Sequence, residues 1–224
     1  MAPNQEVRIV GLNVESTGRS IVFHEDFIRG YKIKDEIKKY HYFSYAVNEA
    51  LHLSPKEEQM ISTLINRIEY EYYGNQDAFT QELILSQLET LLKYADRFYH
   101  RQFLHRKENN SNLLDKFIDE VERYMNEGQI DGKTIPTIEE IAKKLNMTPR
   151  YLSDALKVET GKTAIENLHL NLIDKAKDLL LDPNATVATV AYSLGFKYPQ
   201  YFSRLFKKKT GMTPTEYIKS RNYR

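Results

Sequence analysis

Thr137-Ile138-Glu139-Glu140-Ile141-Ala142-Lys143-Lys144-Leu145 returns, 49 residues later, as Thr186-Val187-Ala188-Thr189-Val190-Ala191-Tyr192-Ser193-Leu194. A second match follows at an offset of 50, where Ser153, Thr160, Gly161, Thr163 and Glu166 reappear as Ser203, Thr210, Gly211, Thr213 and Glu216. A single inserted residue separates two stretches that are otherwise in register, and chance similarity rarely holds register over such a span. An internal repeat is the first feature to read in any chain.

Each copy spells out the same local chemistry. Thr137 and Thr186 are N-caps, whose hydroxyls can accept from an orphan amide of the first helical turn. Ile138, Ile141, Ala142 and Leu145 then share one helical face, as do Val187, Val190, Ala191 and Leu194. The small alanine in each set lets a second helix approach closely. Asn146 and Gly195 break the helix where a left-handed backbone is cheap. Pro149 and Pro199 open a second helix, since proline fits a first turn in which its missing amide costs nothing. Gly161 and Gly211 stop it. The expected unit, twice over, is helix, tight turn, helix, the arrangement that reads DNA.

Between the copies, Ile165, Leu168, Leu172, Ala176 and Leu179 make an apolar stripe at spacings of three and four. A connecting helix over residues 163–181 would be roughly 28 Å long, comparable with the roughly 34 Å of one DNA turn. Asp182-Pro183-Asn184 ends it.

Charge is distributed unevenly. The chain has 224 residues and a net charge of +1, yet residues 183–224 hold eight bases (Lys197, Arg204, Lys207, Lys208, Lys209, Lys219, Arg221, Arg224) against one acid, Glu216. That segment carries +7 and the other 182 residues −6, an asymmetry that points to an anionic partner at the C-terminal end. Composition excludes other classes. A chain 41% hydrophobic and 28% charged can bury a core. It has no cysteine, hence no disulfide, thiolate metal site or cysteine nucleophile. No run approaches the roughly 18 apolar residues of a membrane span, and Met1-Ala2-Pro3-Asn4-Gln5 lacks the layout of a signal peptide. A cytoplasmic protein is expected.

The second copy and its approach, from Ala176 and Leu179-Leu180 through Val187, Val190-Ala191, Leu194-Gly195-Phe196, Tyr201-Phe202-Ser203-Arg204-Leu205-Phe206-Lys207-Lys208, Gly211-Met212-Thr213-Pro214 and Tyr217, closely resembles the AraC family of bacterial transcription regulators. The resemblance covers roughly residues 111–221. It implies a sequence-specific DNA-binding transcription regulator whose second helix in each unit enters the major groove. In the C-terminal unit the exposed face is then Lys197, Gln200, Ser203, Arg204 and Lys207. Tyr201, Phe202, Leu205 and Phe206 supply packing, with Tyr201 at the edge and counted among the DNA contacts. Arg204 suits a guanine, whose O6 and N7 a guanidinium can bond together, and Gln200 suits an adenine. Lys207 and Lys208 suit phosphates, which fix register without reading sequence.

The N-terminal unit departs from the family pattern. Its exposed positions are Arg150, Ser153, Asp154 and Lys157, and Asp154 stands where the second copy has Arg204. An acid repels phosphate, although it can accept from cytosine N4. Leu172 also occupies a linker-helix position that is basic in many relatives. This half is expected to bind weakly or to read a different base pattern.

Residues 7–14 and 20–24 are β-like, separated by a turn at 16–19. Ser54-Pro55-Lys56-Glu57 is a strong helix start; Ile61, Leu64, Ile65, Ile68 and Tyr72 share the face of that helix, and Gly74-Asn75 breaks it. A longer helix to about His105 carries Ile84, Leu88, Leu91, Ala95 and Phe98 at heptad-like spacing. In the AraC family such a pair follows a cupin-type barrel and mediates dimerisation. The roughly 50 residues before Ser54 are too few for a whole barrel, so an effector pocket would be absent or incomplete. The expected fold is mainly α: residues 1–53 a partial, cupin-like β remnant, 54–108 a two-helix dimerisation or linker region, and 109–224 a tandem helix-turn-helix domain of about seven helices joined by a linker helix.

Double-stranded DNA is the expected partner, with a homodimer through residues 56–105; RNA polymerase and a small-molecule effector are further candidates. No cofactor, metal or catalytic residue is assigned. His100 and His105 are five apart, not the three or four that place two ligands on one helical face, and Gly161-Lys162-Thr163 lacks the upstream glycine of a phosphate loop. The rival reading is a protein-interaction or dimerisation module with weak DNA binding, suggested by Asp154 and by the acidic balance of the remainder.

Overall fold

A computed structural model describes residues 18–108, 112–131 and 135–221. The chain forms two compact units, Met1–His105 and Arg106–Arg224. The β-like stretch 7–14 and residues 16–17 of the adjoining turn lie outside the described residues, as does Arg224. No helix in the described residues is long and apolar enough to cross a membrane.

The first unit is built on α2 (Pro55–Tyr73) and on α3 (Thr80–Glu108), whose last three residues pass beyond it. Ser54 caps α2 as its sequence requires: its Oγ accepts from the Glu57 amide while a Glu57 carboxylate oxygen accepts from the Ser54 amide at 2.8 Å. Leu64 and Ile68 of α2 and Ile84, Leu88 and Phe98 of α3 are buried, as are Leu85 and Leu92, which the heptad reading passed over. Tyr72 is exposed.

What covers the pair is the segment ahead of it. Residues 20–24, expected to be a strand, contain none, and no strand occurs among the described residues. The apolar alternation there serves one-sided packing, with Ile21 and Phe23 lying against the core of Ile68, Ile84, Leu88 and their neighbours. A short helix α1 (Ile33–Glu36) and several single 3-10 turns follow. Tyr42 stacks on Tyr99 at 5.4 Å and donates to the Leu92 carbonyl at 3.0 Å, which fastens this segment to α3. A cleft of about 680 Å³ runs between residues 19–24 and the two helices.

The described residues of the second unit form seven helices: α4 (Leu113–Asp131), α5 (Ile138–Lys144), α6 (Pro149–Thr160), α7 (Ala164–Leu179), α8 (Val187–Ser193), α9 (Pro199–Thr210) and α10 (Pro214–Arg221). The repeat is visible in its packing, with α5 on α6 and α8 on α9, while α7 touches α4, α6, α8 and α9. Phe117 and Val121 of α4, Leu152 and Leu156 of α6, Leu172 and Ala176 of α7, and Phe202 and Phe206 of α9 are fully buried. So are Ala142 and Ala191, the small residues at which each helix pair closes. α7 runs 16 residues, about 24 Å, and is shorter than the spacing suggested. Ile165 and Leu179, read as members of its stripe, are exposed because they fall in its terminal turns, beyond the cover of its neighbours.

Candidate nucleic-acid interface

The two turns are built by one device. Asn146 (φ 54°) and Gly195 (φ 83°) adopt the left-handed conformation, and Asn146 is the one non-glycine residue with positive φ among the described residues. The Asn146 amide donates to the Lys143 carbonyl at 3.2 Å and the Met147 amide to Ala142 at 2.9 Å; Gly195 and Phe196 repeat this with Tyr192 and Ala191, both at 2.9 Å. This is the Schellman ending, which satisfies the orphan carbonyls of α5 and α8 and turns the chain sharply into α6 and α9. Pro149 and Pro199 start those helices, and Gly161 (φ 75°) and Gly211 (φ 84°) end them.

The second shared element is Thr-Gly-x-Thr. The hydroxyl of Thr160 donates to the Leu156 carbonyl and that of Thr210 to the Phe206 carbonyl, each at 2.8 Å. Thr163 caps α7 in a box with Glu166; Thr213 and Glu216 exchange the same pair of bonds at the start of α10. Bonds from the threonine amides and hydroxyls hold the Glu166 and Glu216 carboxyls below the usual carboxylate range. The first copy adds a clamp of its own. Asn167 is buried, and its Nδ2 lies 3.0 Å from Thr160 Oγ1, the Lys162 carbonyl and the Thr163 carbonyl.

These caps leave α9 with two distinct sides. Phe202 and Phe206 face the core, edge-on to each other at 5.7 Å, and Phe206 meets Tyr217 of α10 at 5.5 Å. Gln200, Tyr201, Arg204, Lys207 and Lys208 are exposed together, with Lys197 just ahead of the helix; Ser203 and Leu205 are half-buried. Tyr201, placed at the edge of the packing side by its spacing, is 55% exposed and belongs to the outer face. The lysines at the end of α9 also reach α7: burial together with Lys209 and Lys208 holds the half-buried His169 below the ordinary histidine value.

On α6, Arg150 and Lys157 are exposed, while Ser153 and Asp154 are half-buried. The Ser153 hydroxyl accepts from the Ala164 amide at 3.4 Å, which engages it with the start of α7. Leu172, noted as replacing a basic residue, is a fully buried core position. Two exposed aromatics beside α9, Tyr192 and Tyr198, were not singled out from sequence. Tyr198 lies in the turn lengthened by the inserted residue, which is the signal that could have marked it.

The family described as a helix-turn-helix domain matches residues 141–220, which hold both turns and all of α6 to α9. Residues 141–220 are a helix-turn-helix domain. The HTH-type transcriptional regulator YfiF of Bacillus subtilis (strain 168) is 31% identical over 133 residues, which are 59% of this chain and 38% of that protein. The arabinose operon regulatory protein of Escherichia coli (strain K12) is 30% identical over 104 residues, 46% of this chain and 35% of that protein. The solved C-terminal domain of AraT, a response regulator from Geobacillus stearothermophilus, shares 28% identity at a TM-score of 0.43 over 49% of this chain and 86% of that one. The chain spans 38% of the length of YfiF and 10% of that of the HTH-type transcriptional regulator YtdP of the same organism, so the likeness is to part of each.

Proposed function

We propose that the chain is a sequence-specific DNA-binding transcription regulator in the cytoplasm that acts without catalysis. In this account α6 and α9 enter successive major-groove segments of double-stranded DNA and α7 holds them apart. The observation that carries it is the outer face of α9, where Gln200, Arg204 and Lys207 stand exposed on the helix of a helix-turn-helix unit. Arg204 is assigned to a guanine edge, Gln200 to an adjacent base, and Lys197, Lys207 and Lys208 to phosphates. Arg150, Ser153, Asp154 and Lys157 are the corresponding contacts of α6, with Asp154 weakening its grip on the backbone. The α2–α3 pair, within residues 56–105, is assigned to homodimerisation; Met60, Tyr70, Tyr72 and Tyr73 of α2 and Leu83 and Leu104 of α3 are exposed, as is Phe79 between the helices. RNA polymerase would be the partner of an activating form.

A titration of labelled duplex at several salt concentrations tests this. Each phosphate contact adds about 0.9 to the slope of log affinity against log salt. Arg204→Ala is expected to cost about 1–3 kcal/mol and to relax selection at one base pair, and Lys207→Ala to weaken all sequences alike and lower the slope by about 1. Asp154 favours a second reading, an interaction module that keeps the fold and binds DNA poorly. Affinity untouched by Arg204→Ala, with activity in cells abolished by disrupting the α2–α3 pair, would decide for it.

A further inference from the structure

Tyr201 has a counterpart in the first copy, and the two differ in a way the fold does not need. Tyr151 is 5% exposed and part of the core, whereas Tyr201, at the equivalent place in α9, is 55% exposed. The core side of α9 is already filled by Phe202 and Phe206. Tyr198, 43% exposed, meets the Tyr201 ring edge-on at 5.6 Å, and the Lys197 ammonium sits 5.5 Å from the Tyr198 ring centroid. Three and seven residues on from Tyr201, hence on the same side of the helix, are the exposed Arg204 and Lys208. Two aromatic rings are thus held outward inside a rim of positive charge. A partner fitting that arrangement is anionic at its edge and apolar within.

In the major groove the apolar group is the C5-methyl of thymine, which is read by apolar contact, and the anionic edge is phosphate. We propose that Tyr201, backed by Tyr198, is a specificity-determining residue that seats a thymine methyl next to the base pair read by Arg204. This rests on the DNA-reading function proposed above and names what else α9 would select: a thymine beside the guanine, recognised by the face of the ring and not by the phenol hydroxyl. Lys197, attracted to the Tyr198 ring, would keep the turn against the flanking phosphate.

The test uses the full chain and a duplex obtained by selection from a random library, with each thymine replaced singly by deoxyuridine. That exchange deletes the methyl group and leaves base pairing unchanged. One position should lose about fourfold in affinity, the worth of one buried methyl. Tyr201→Phe should keep that sensitivity, because the ring remains. Tyr201→Ala should bind less tightly and show no further loss at the same position, with circular dichroism and melting temperature confirming its fold. No sensitivity to deoxyuridine at any position, or equal losses in Tyr201→Phe and Tyr201→Ala, would overturn the assignment in favour of a phenol–phosphate contact. Those results would leave the wider function standing provided Arg204→Ala still lost affinity for the same duplex. If the wild-type chain selected no sequence at all, both would fall.

Discussion

Replacing Asn167 with alanine removes the clamp that sets the turn between α6 and α7. The residue is 8% exposed, and its Nδ2 lies 3.0 Å from three acceptors, of which its two hydrogens can serve two well at any moment. Two lost bonds at about 1 kcal/mol each come to about 2 kcal/mol. Alanine is the better helix former by roughly 0.6 kcal/mol, leaving a net loss of about 1.4 kcal/mol. For a unit of this size that corresponds to a fall of roughly 6 °C in the melting midpoint. Scanning calorimetry should place the shift in the transition of residues 106–224 and leave that of the first unit in position. Asn167→Asp should be worse than alanine, since it removes both donors and turns a charge towards two backbone carbonyls. A shift below about 2 °C in both variants would mean that the three short distances contribute little and that capping by Thr163 and Glu166 alone holds the turn.

Gly211→Ala should destabilise by about 1 kcal/mol through the backbone alone, because φ is 84° and an added Cβ meets nothing within 4 Å; Gly211→Asn should recover part of that, and denaturant midpoints decide it. His169 gives a pH dependence of fixed sign. Its folded pKa is depressed by burial and by Lys209 and Lys208, so the unfolded state binds the extra proton first. Stability contributed there is full above the ordinary value near 6.5 and is lost as pH falls below it. Urea unfolding at pH 8 and at pH 5 should show that loss in the wild type and less of it in His169→Gln, and equal losses in both would refute it.

Features of this fold that were legible in the sequence are those that depend on a few consecutive residues. Thr137 and Thr186 cap because a hydroxyl three residues ahead of an amide can reach it, and Asn146 and Gly195 turn because they tolerate positive φ. No other part of the molecule has to be known for either. Features that were not legible depend on what a neighbour covers. The alternation of Ile21 and Phe23 fits a strand in a sheet and equally an extended chain laid on two helices, and only the presence of α2 and α3 decides between them. Likewise Tyr151 and Tyr201 share a residue type and a place in the repeat, yet one is core and one is surface. Helical spacing puts both at the margin of the packing side, where a neighbouring element settles the outcome. The assignment of residues to a DNA-facing side rests on resemblance, since a solvated lysine face and a phosphate-binding one look alike in sequence.

Selection from a random duplex library with the full chain, run beside Arg204→Ala, separates a DNA reader from an interaction module. A DNA reader should enrich a short pattern that is lost in Arg204→Ala, with a second pattern about one helical turn away if α6 also reads bases. Absence of any enriched pattern from protein shown to be folded would contradict that reading.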